Sequence, residues 1–179
     1  MGRTIFIGDV HACSRELGEL LGRLAWTEAD QVCFVGDLVS RGPDPRGVLE
    51  WFRKTHARSV RGNHEEGLFA FRAQGGTGKG ERSYAHALQE LTEEDWALLA
   101  SLPLWLDLPE HEVRVVHAGV IPGVPIEEQP RSALLTMRYL GPHGEPIEKG
   151  GDLLWGSSYV GPPHVVFGHN ANPEPQLHP

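Results

Sequence analysis

Three times within the first 64 residues an apolar run stops at a glycine followed at once by an oxygen- or nitrogen-donor side chain. Arg3 to Val10 breaks at Gly8-Asp9, Val32 to Val35 ends in Gly36-Asp37, and Arg58 to Arg61 ends in Gly62-Asn63-His64. Between the first two runs, Ser14 to Trp26 carries Leu17, Leu20, Leu21 and Leu24 at helical spacing, with Ser14 suited to cap the helix. Between the second and third, a Gly/Pro-rich loop from Leu38 to Pro45 leads into an amphipathic stretch with Val48, Leu49 and Phe52. Strand–helix–strand–helix–strand order implies parallel strands, because each helical crossover returns the chain to the end it left. The three glycine-ended termini then share one edge of a sheet.

The remainder extends the pattern. Arg82 to Leu91 and Glu93 to Leu102 read as helices, with Thr92 as the cap of the second. Leu104 to Leu108, Val113 to His117 and Val165 to Phe167 read as strands, and the last two end in His117-Ala118-Gly119 and Gly168-His169-Asn170. The run Gly75-Gly76-Thr77-Gly78-Lys79-Gly80 is not a nucleotide-binding P-loop, which needs glycine where Ala73 stands and Ser or Thr where Gly80 stands, so it reads as a lid or linker. A chain of 179 residues can bury a core without staples, and one α/β domain over residues 1–179 is expected. Cys13 and Cys33 suit reduced thiols rather than a disulfide framework, and no apolar run approaches the roughly 20 residues needed to cross a bilayer. Nor does the N-terminus read as a signal segment, and the expected compartment is the cytoplasm.

Five strand ends thus present Asp9 with His11, Asp37, Asn63 with His64, His117, and His169. Each alone has an ordinary explanation: Asp37 could cap a loop and His117 could be a hydrogen-bonded core histidine. Together they favour metal binding. Carboxylates neutralise a hard dication, imidazoles suit transition metals, and an aspartate between two ions can bridge them. Gly8, Gly36, Gly62 and Gly168 are expected to leave room where a β-carbon would obstruct the turn into each ligand. With 16 Lys and Arg against 24 Asp and Glu, the formal charge of −8 argues against a nucleic-acid polymer as partner, and a nuclease with it.

The motifs Gly8-Asp9-Val10-His11, Gly36-Asp37-Leu38-Val39-Ser40-Arg41-Gly42, Gly62-Asn63-His64-Glu65, His117-Ala118-Gly119 and Gly168-His169 resemble the signature of calcineurin-like metallophosphoesterases, more narrowly their phosphoprotein phosphatase branch. The resemblance covers residues 5 to 170. It implies an α/β fold in which two mixed β-sheets pack face to face with helices outside, and a dimetal site lies at the strand C-terminal ends. It implies that Asp9 and His11 hold one divalent ion, that Asp37 bridges, and that Asn63, His117 and His169 hold the second. Manganese is the expected pair, with iron, cobalt or zinc as alternatives. A water acidified between the two cations would attack phosphorus in line. His64 fits a general acid for the leaving oxygen, and Arg41 a clamp on phosphoryl oxygens, unless Arg41 is spent on a loop salt bridge with Asp44. Arg138 resembles the family's second phosphate-binding arginine, the alternative being a solvent-facing helical arginine.

Residues 36 to 43 are similar to the run found in bacterial symmetric diadenosine tetraphosphatases, as are Val166-Phe167-Gly168-His169 and Met137-Arg138. Asn63-His64-Glu65 looks instead like the protein Ser/Thr phosphatases. In those enzymes an aspartate paired with the catalytic histidine stands where this chain has Ser40, which is expected to orient His64 without supplying charge. The resemblance therefore implies hydrolysis of a dinucleoside polyphosphate, diadenosine tetraphosphate to two ADP, with phosphoprotein dephosphorylation as the alternative and a non-catalytic metal-binding module as a third reading. ADP is a fair leaving group that tolerates a weaker acid. Tyr84, Trp155 and Tyr159 are candidates for an adenine shelf, although such residues are more often core or rim. Family members continue with further strands after the Gly-His motif, whereas residues 172–179 carry three prolines and do not read as a strand. The last sheet edge is accordingly expected to be open or covered in a homodimer.

Overall fold

The computed structural model describes residues 2–172, 174 and 176–178. Its first half is the expected alternation: β1 (Thr4–Ile7), α1 (Ser14–Arg23), β2 (Gln31–Phe34), α2 (Pro45–Lys54) and β3 (Arg58–Ser59), followed by α3 (Asn63–Ala73), α4 (Glu81–Glu90) and α5 (Glu93–Ser101). The second half holds β4 (Trp105–Leu108), β5 (Val113–Val116), α6 (Arg131–Thr136), β6 (Tyr139–Leu140), β7 (Pro146–Ile147), β8 (Leu153–Leu154) and β9 (His164–Val166).

Strands β1, β2 and β3 form a wholly parallel sheet, with Thr4 opposite Gln31 and Cys33 opposite Arg58. Strand β2 shows why its sequence is apolar without interruption. Val32 and Phe34 face the helices, packing with Leu17, Leu21, Val48, Leu49 and Leu68. Cys33 faces the other way, and with Val35 just beyond the strand it meets Leu108 and Val115 of a second sheet. Period-two alternation persists, but both faces are covered, as in a parallel strand at the centre of a sandwich. Each such side chain, withdrawn from water, contributes about 1.5–3 kcal/mol.

The second sheet, in order β4-β5-β9, is mixed: β4 and β5 are antiparallel, β5 and β9 parallel. Its outer face packs on Leu134, Met137 and Trp155. The two-sheet sandwich with helices outside is therefore present, with the refinement that only the second sheet is mixed. A third, antiparallel sheet of two-residue strands, β7-β6-β8, stands beside it. Among the described residues β9 is the last strand. Gln176–His178 lie in no strand, while Pro173, Pro175 and Pro179 fall outside the described residues.

Local boundaries differ from the sequence reading for identifiable reasons. Helix α1 stops at Arg23 rather than Trp26, because Ala25 turns the chain at φ 47°. Ser14 is its first residue and not its cap, and the hydroxyl donates to Asp44 instead. Asp44 caps α2 by accepting from the Gly47 N–H, and Pro45 occupies the first turn, where a missing N–H costs nothing. The glycine-rich run is a linker joining α3 to α4, with positive φ at Gly75, Gly76, Gly78 and Gly80. Among the described residues no helix is long and apolar enough to cross a membrane.

Candidate metal centre

The loops that follow β1 and β2 are stitched together before any ligand is placed. The N–H groups of Val10 and His11 both donate to the Asp37 carbonyl, at 3.1 and 2.8 Å, and that of Ala12 donates to the Leu38 carbonyl at 2.7 Å. These bonds hold His11 at φ 49° and Asp37 at φ 53°, left-handed conformations that a side chain disfavours. Arg41 and His169 share that region, at φ 70° and 60°. Backbone strain thus gathers on the candidate site residues.

Two glycines are required by close approach. A β-carbon on Gly62 would lie 2.1 Å from Asp37 Oδ1, and one on Gly168 would lie 2.4 Å from Asp9 Oδ1. Gly36 bends at φ 97°, whereas Gly8 faces open space, so the expected steric reason does not hold there.

Glu65, which the sequence reading quoted in a motif without giving it a role, organises this floor. Fully buried in the first turn of α3, its carboxylate accepts from the N–H groups of Asp37, Leu38 and Gly62 at 2.8–2.9 Å. The signal was present in the sequence as Gly62 followed three residues later by glutamate, half of a capping box.

On that floor the donors converge. His117 Nδ1 donates to the Val35 carbonyl at 2.8 Å, which leaves Nε2 to present its lone pair. That nitrogen lies 2.9 Å from Asn63 Oδ1, 3.2 Å from His169 Nδ1 and 3.5 Å from Asp37 Oδ2, and His169 Nδ1 is 3.0 Å from Asn63 Oδ1. Four atoms that chiefly accept hydrogen bonds therefore face one another. On the other side of Asp37, His11 Nε2 approaches Oδ2 to 3.8 Å, and His11, Asp37 and His64 form a second group of ligand atoms. Asp9 stands outside both groups, lining the same cleft, and its Oδ1 accepts from the His169 N–H at 3.1 Å.

Electrostatics agree with a seat for cations. Burial first, then the negative charge of Glu65 and of Asp9, pushes the Asp37 carboxyl up to about 9, so without a cation the site takes up a proton. Burial and the Arg41 guanidinium lower His11 and bring His64 down to about 4. Burial, His117 and Arg138 bring His169 to about 4. His11 and His169 are thus neutral, as ligand imidazoles must be, at neutral pH. The His169 Nε2 atom is buried without a hydrogen-bond partner among the described residues. This donor set fits a pair of divalent ions.

Arg41 does not pair with Asp44. Its Nη1 lies 3.3 Å from His11 Nε2 and its Nη2 donates to His64 Nε2 at 2.8 Å. Ser40 does not orient His64 as expected: its hydroxyl bonds His11 Nδ1 at 3.1 Å, and His64 Nδ1 is buried with no partner among the described residues. Arg138 lies between α6 and β6 rather than on a helix, half-buried, with Nη2 donating to the His169 carbonyl and Nε buried and unpartnered among the described residues. Arg41, His64 and Arg138 line a cleft of about 510 Å³, to whose wall Glu148 and Lys149 also contribute.

Of the adenine-shelf candidates, only Tyr84 is at the site, its ring centroid 5.8 Å from that of His64. Trp155 is a core residue, 2 % exposed and donating to the Ala118 carbonyl, and Tyr159 packs against Trp155 and donates to the Pro163 carbonyl.

Comparison with known proteins agrees with this geometry. A symmetrical bis(5'-nucleosyl)-tetraphosphatase of Shewanella baltica is 35% identical over 137 residues, covering 73% of this chain and 49% of that protein. Its counterpart in Shewanella oneidensis is 34% identical over 141 residues, covering 75% and 51%. The chain spans about half the length of the curated relatives it matches. A crystal structure given the provisional name diadenosine tetraphosphatase superposes with a TM-score of 0.82 at 34% identity, covering 93% of this chain and 74% of that one. The model for the calcineurin-like phosphoesterase family matches residues 2–178, and the chain belongs to that family.

Proposed function

We propose that this chain is a dimetal phosphohydrolase acting on dinucleoside polyphosphates, cleaving diadenosine tetraphosphate symmetrically to two ADP. The observation that carries the reading is the facing of His117 Nε2, Asn63 Oδ1, His169 Nδ1 and Asp37 Oδ2, with Arg41 and His64 across Asp37. Asp9 and His11 would hold one ion, Asp37 both, and Asn63, His117 and His169 the other. The mixture of imidazole with carboxylate and amide oxygen suits manganese, with iron, cobalt or zinc able to substitute. When bound, two such ions neutralise phosphoryl oxygens and acidify water.

The protein's own groups then divide the work. Among the described residues Arg41 has no acidic partner, so an entering phosphoryl group supplies one, and the planar fork grips two of its oxygens as charge shifts. Arg138, with its unpartnered Nε, is placed to take another oxygen. His64 is neutral before substrate enters, its Nε2 accepting from Arg41. A bound phosphoryl anion that draws Arg41 away frees that nitrogen and favours the imidazolium, and the proton taken up there from solvent passes to the leaving oxygen. No carboxylate supports its Nδ1, since Ser40 is turned to His11. A weakly supported acid suits ADP, whose departing oxygen needs little protonation, better than a serine alkoxide, and this favours nucleotide over phosphoprotein. Free Cys13 and Cys33, the latter's thiol raised by burial to about 11, fit a reducing compartment such as the cytoplasm.

The test is to incubate manganese-loaded protein with diadenosine tetraphosphate and resolve the nucleotides. Two ADP are expected, and His64→Asn should lower turnover by about 10²–10⁴-fold. ATP with AMP would contradict symmetric cleavage. Phosphate release from a phosphopeptide without any ADP would move the assignment to protein phosphatase.

A further inference from the structure

Arg41 faces the cleft from a left-handed backbone, and the question is what keeps it there. On one side the loop is tied to the β1 loop, through Ala12 N–H to the Leu38 carbonyl and Asp44 N–H to the Ala12 carbonyl. On the other side both ties come from α4. The Arg41 N–H donates to the Ser83 carbonyl at 2.9 Å, and His86 Nε2 donates to the Pro43 carbonyl at 2.7 Å. The two tied residues bracket Gly42.

The same helix fixes its own distance from His64. Between Ser83 and His86, Tyr84 lays its ring against His64 and Phe71, with centroids 5.8 Å away in both cases. A β-carbon on Gly67 of α3 would lie 2.1 Å from the Tyr84 hydroxyl oxygen, and one on Gly80 would lie 2.7 Å from Tyr84 Cδ2. Two glycines therefore admit this ring. One short helix thus touches the groups given the clamp and acid roles, although it supplies neither.

We propose that α4 is a clasp that positions the phosphate clamp, and that His86 is its positioning residue, holding the strained Arg41 turn through the Pro43 carbonyl. The inference rests on the function proposed above and concerns the same site. His86 is exposed and outside the cleft, so it acts through Arg41 and touches no substrate. Glutamine can replace it, because its amide nitrogen is the same number of bonds from Cα as Nε2 and also donates.

The experiment compares the full chain with His86→Ala and His86→Gln in two measurements. In metal-free protein, native-state amide exchange at Arg41 should be at least tenfold faster in His86→Ala and return to the wild-type rate in His86→Gln, with Leu99 in α5 unchanged. In manganese-loaded protein, kcat/KM for diadenosine tetraphosphate should fall about tenfold in His86→Ala, recover in His86→Gln, and show no further fall when His86→Ala is added to Arg41→Ala. An Arg41 amide that exchanges at the wild-type rate in His86→Ala overturns the proposal, and so does an undiminished activity loss in the Arg41→Ala background. Wild-type protein that releases no ADP would instead refute the proposed function, leaving the exchange measurement to decide the clasp.

Discussion

Ser40 has no exposed surface, and its hydroxyl lies 3.1 Å from the Nδ1 of His11. That bond fixes the ring so that Nε2 faces Asp37 Oδ2. Partners of this kind set the tautomer and tilt of a ligand histidine, and their loss typically weakens metal binding 10–100-fold. Ser40→Ala should therefore reduce manganese affinity by that factor in a calorimetric titration, and unchanged affinity would show that packing alone orients His11. Glu65 supports the opposite side. Glu65→Gln sets an amide NH₂ against N–H donors that now point at a carboxylate, and the loss should be about 2–3 kcal/mol in a urea titration of metal-free protein. The gathering of Asp9, His11, Asp37 and Asn63 could be read from strand order, because β1, β2 and β3 run parallel, whereas the joining of His117 and His169 from the second sheet was implied by the family resemblance. The partner of Ser40 could be read from neither. It depends on positive φ at His11 and Asp37, and nothing in residue type announces those angles.

Among elements, α5 shows local and tertiary signals agreeing. Thr92, expected from the sequence as the cap, accepts from the Asp95 N–H at 3.2 Å, and the structure adds the reciprocal bond, Asp95 accepting from the Thr92 N–H at 2.9 Å. Asp95 also receives Arg53 of α2 at 2.6 Å, so the cap doubles as a tie between helices. Thr92→Ala should cost about 1 kcal/mol, seen as a lower urea midpoint with an unchanged slope. Strands β1, β2, β4 and β5 and helices α1, α2, α4 and α5 were legible because each has four or more residues of one period. Strands β3 and β9, of two and three residues, were marked by the glycine-ended motifs that follow them, whereas β6, β7 and β8, of two residues each, carry no such mark and exist because the backbone of Arg138 to Leu140 is paired on both sides. Helix α3 escaped notice for another reason. It begins within the Gly62-Asn63-His64 motif itself, so its first turn reads as ligands rather than as a helix start.

For the whole molecule, the buried donors make stability depend on pH in a way that cations should reverse. His11, His64 and His169 all have folded values below the ordinary 6.5, His64 and His169 at about 4, so as pH falls below 6.5 the unfolded chain binds protons that the folded chain refuses. Their contribution is complete above 6.5 and is lost as pH falls. Asp30, hydrogen-bonded and ion-paired with Arg3, and Asp95, which burial would raise but Arg53 and Thr92 hold low, add a further loss below their ordinary value of 3.8. Asp37 has the opposite sign. Its folded value of about 9 lies above the ordinary 3.8, so across that range the folded chain holds a proton that the unfolded chain has released, and stability falls as pH rises. Above 6.5 this decline is no longer offset by the histidines. Metal-free protein should accordingly show a maximum Tm near about pH 6.5, with a decline on both sides, in scans from pH 5 to 9 in the presence of chelator. Saturating manganese should raise Tm and abolish the alkaline decline, because it stabilises Asp37 in its ionised form. Asp37→Asn should abolish that decline without any metal, since the amide has no proton to lose. An alkaline decline of the same slope in Asp37→Asn would place its origin outside the cleft and overturn the assignment of that decline to the Asp37 proton.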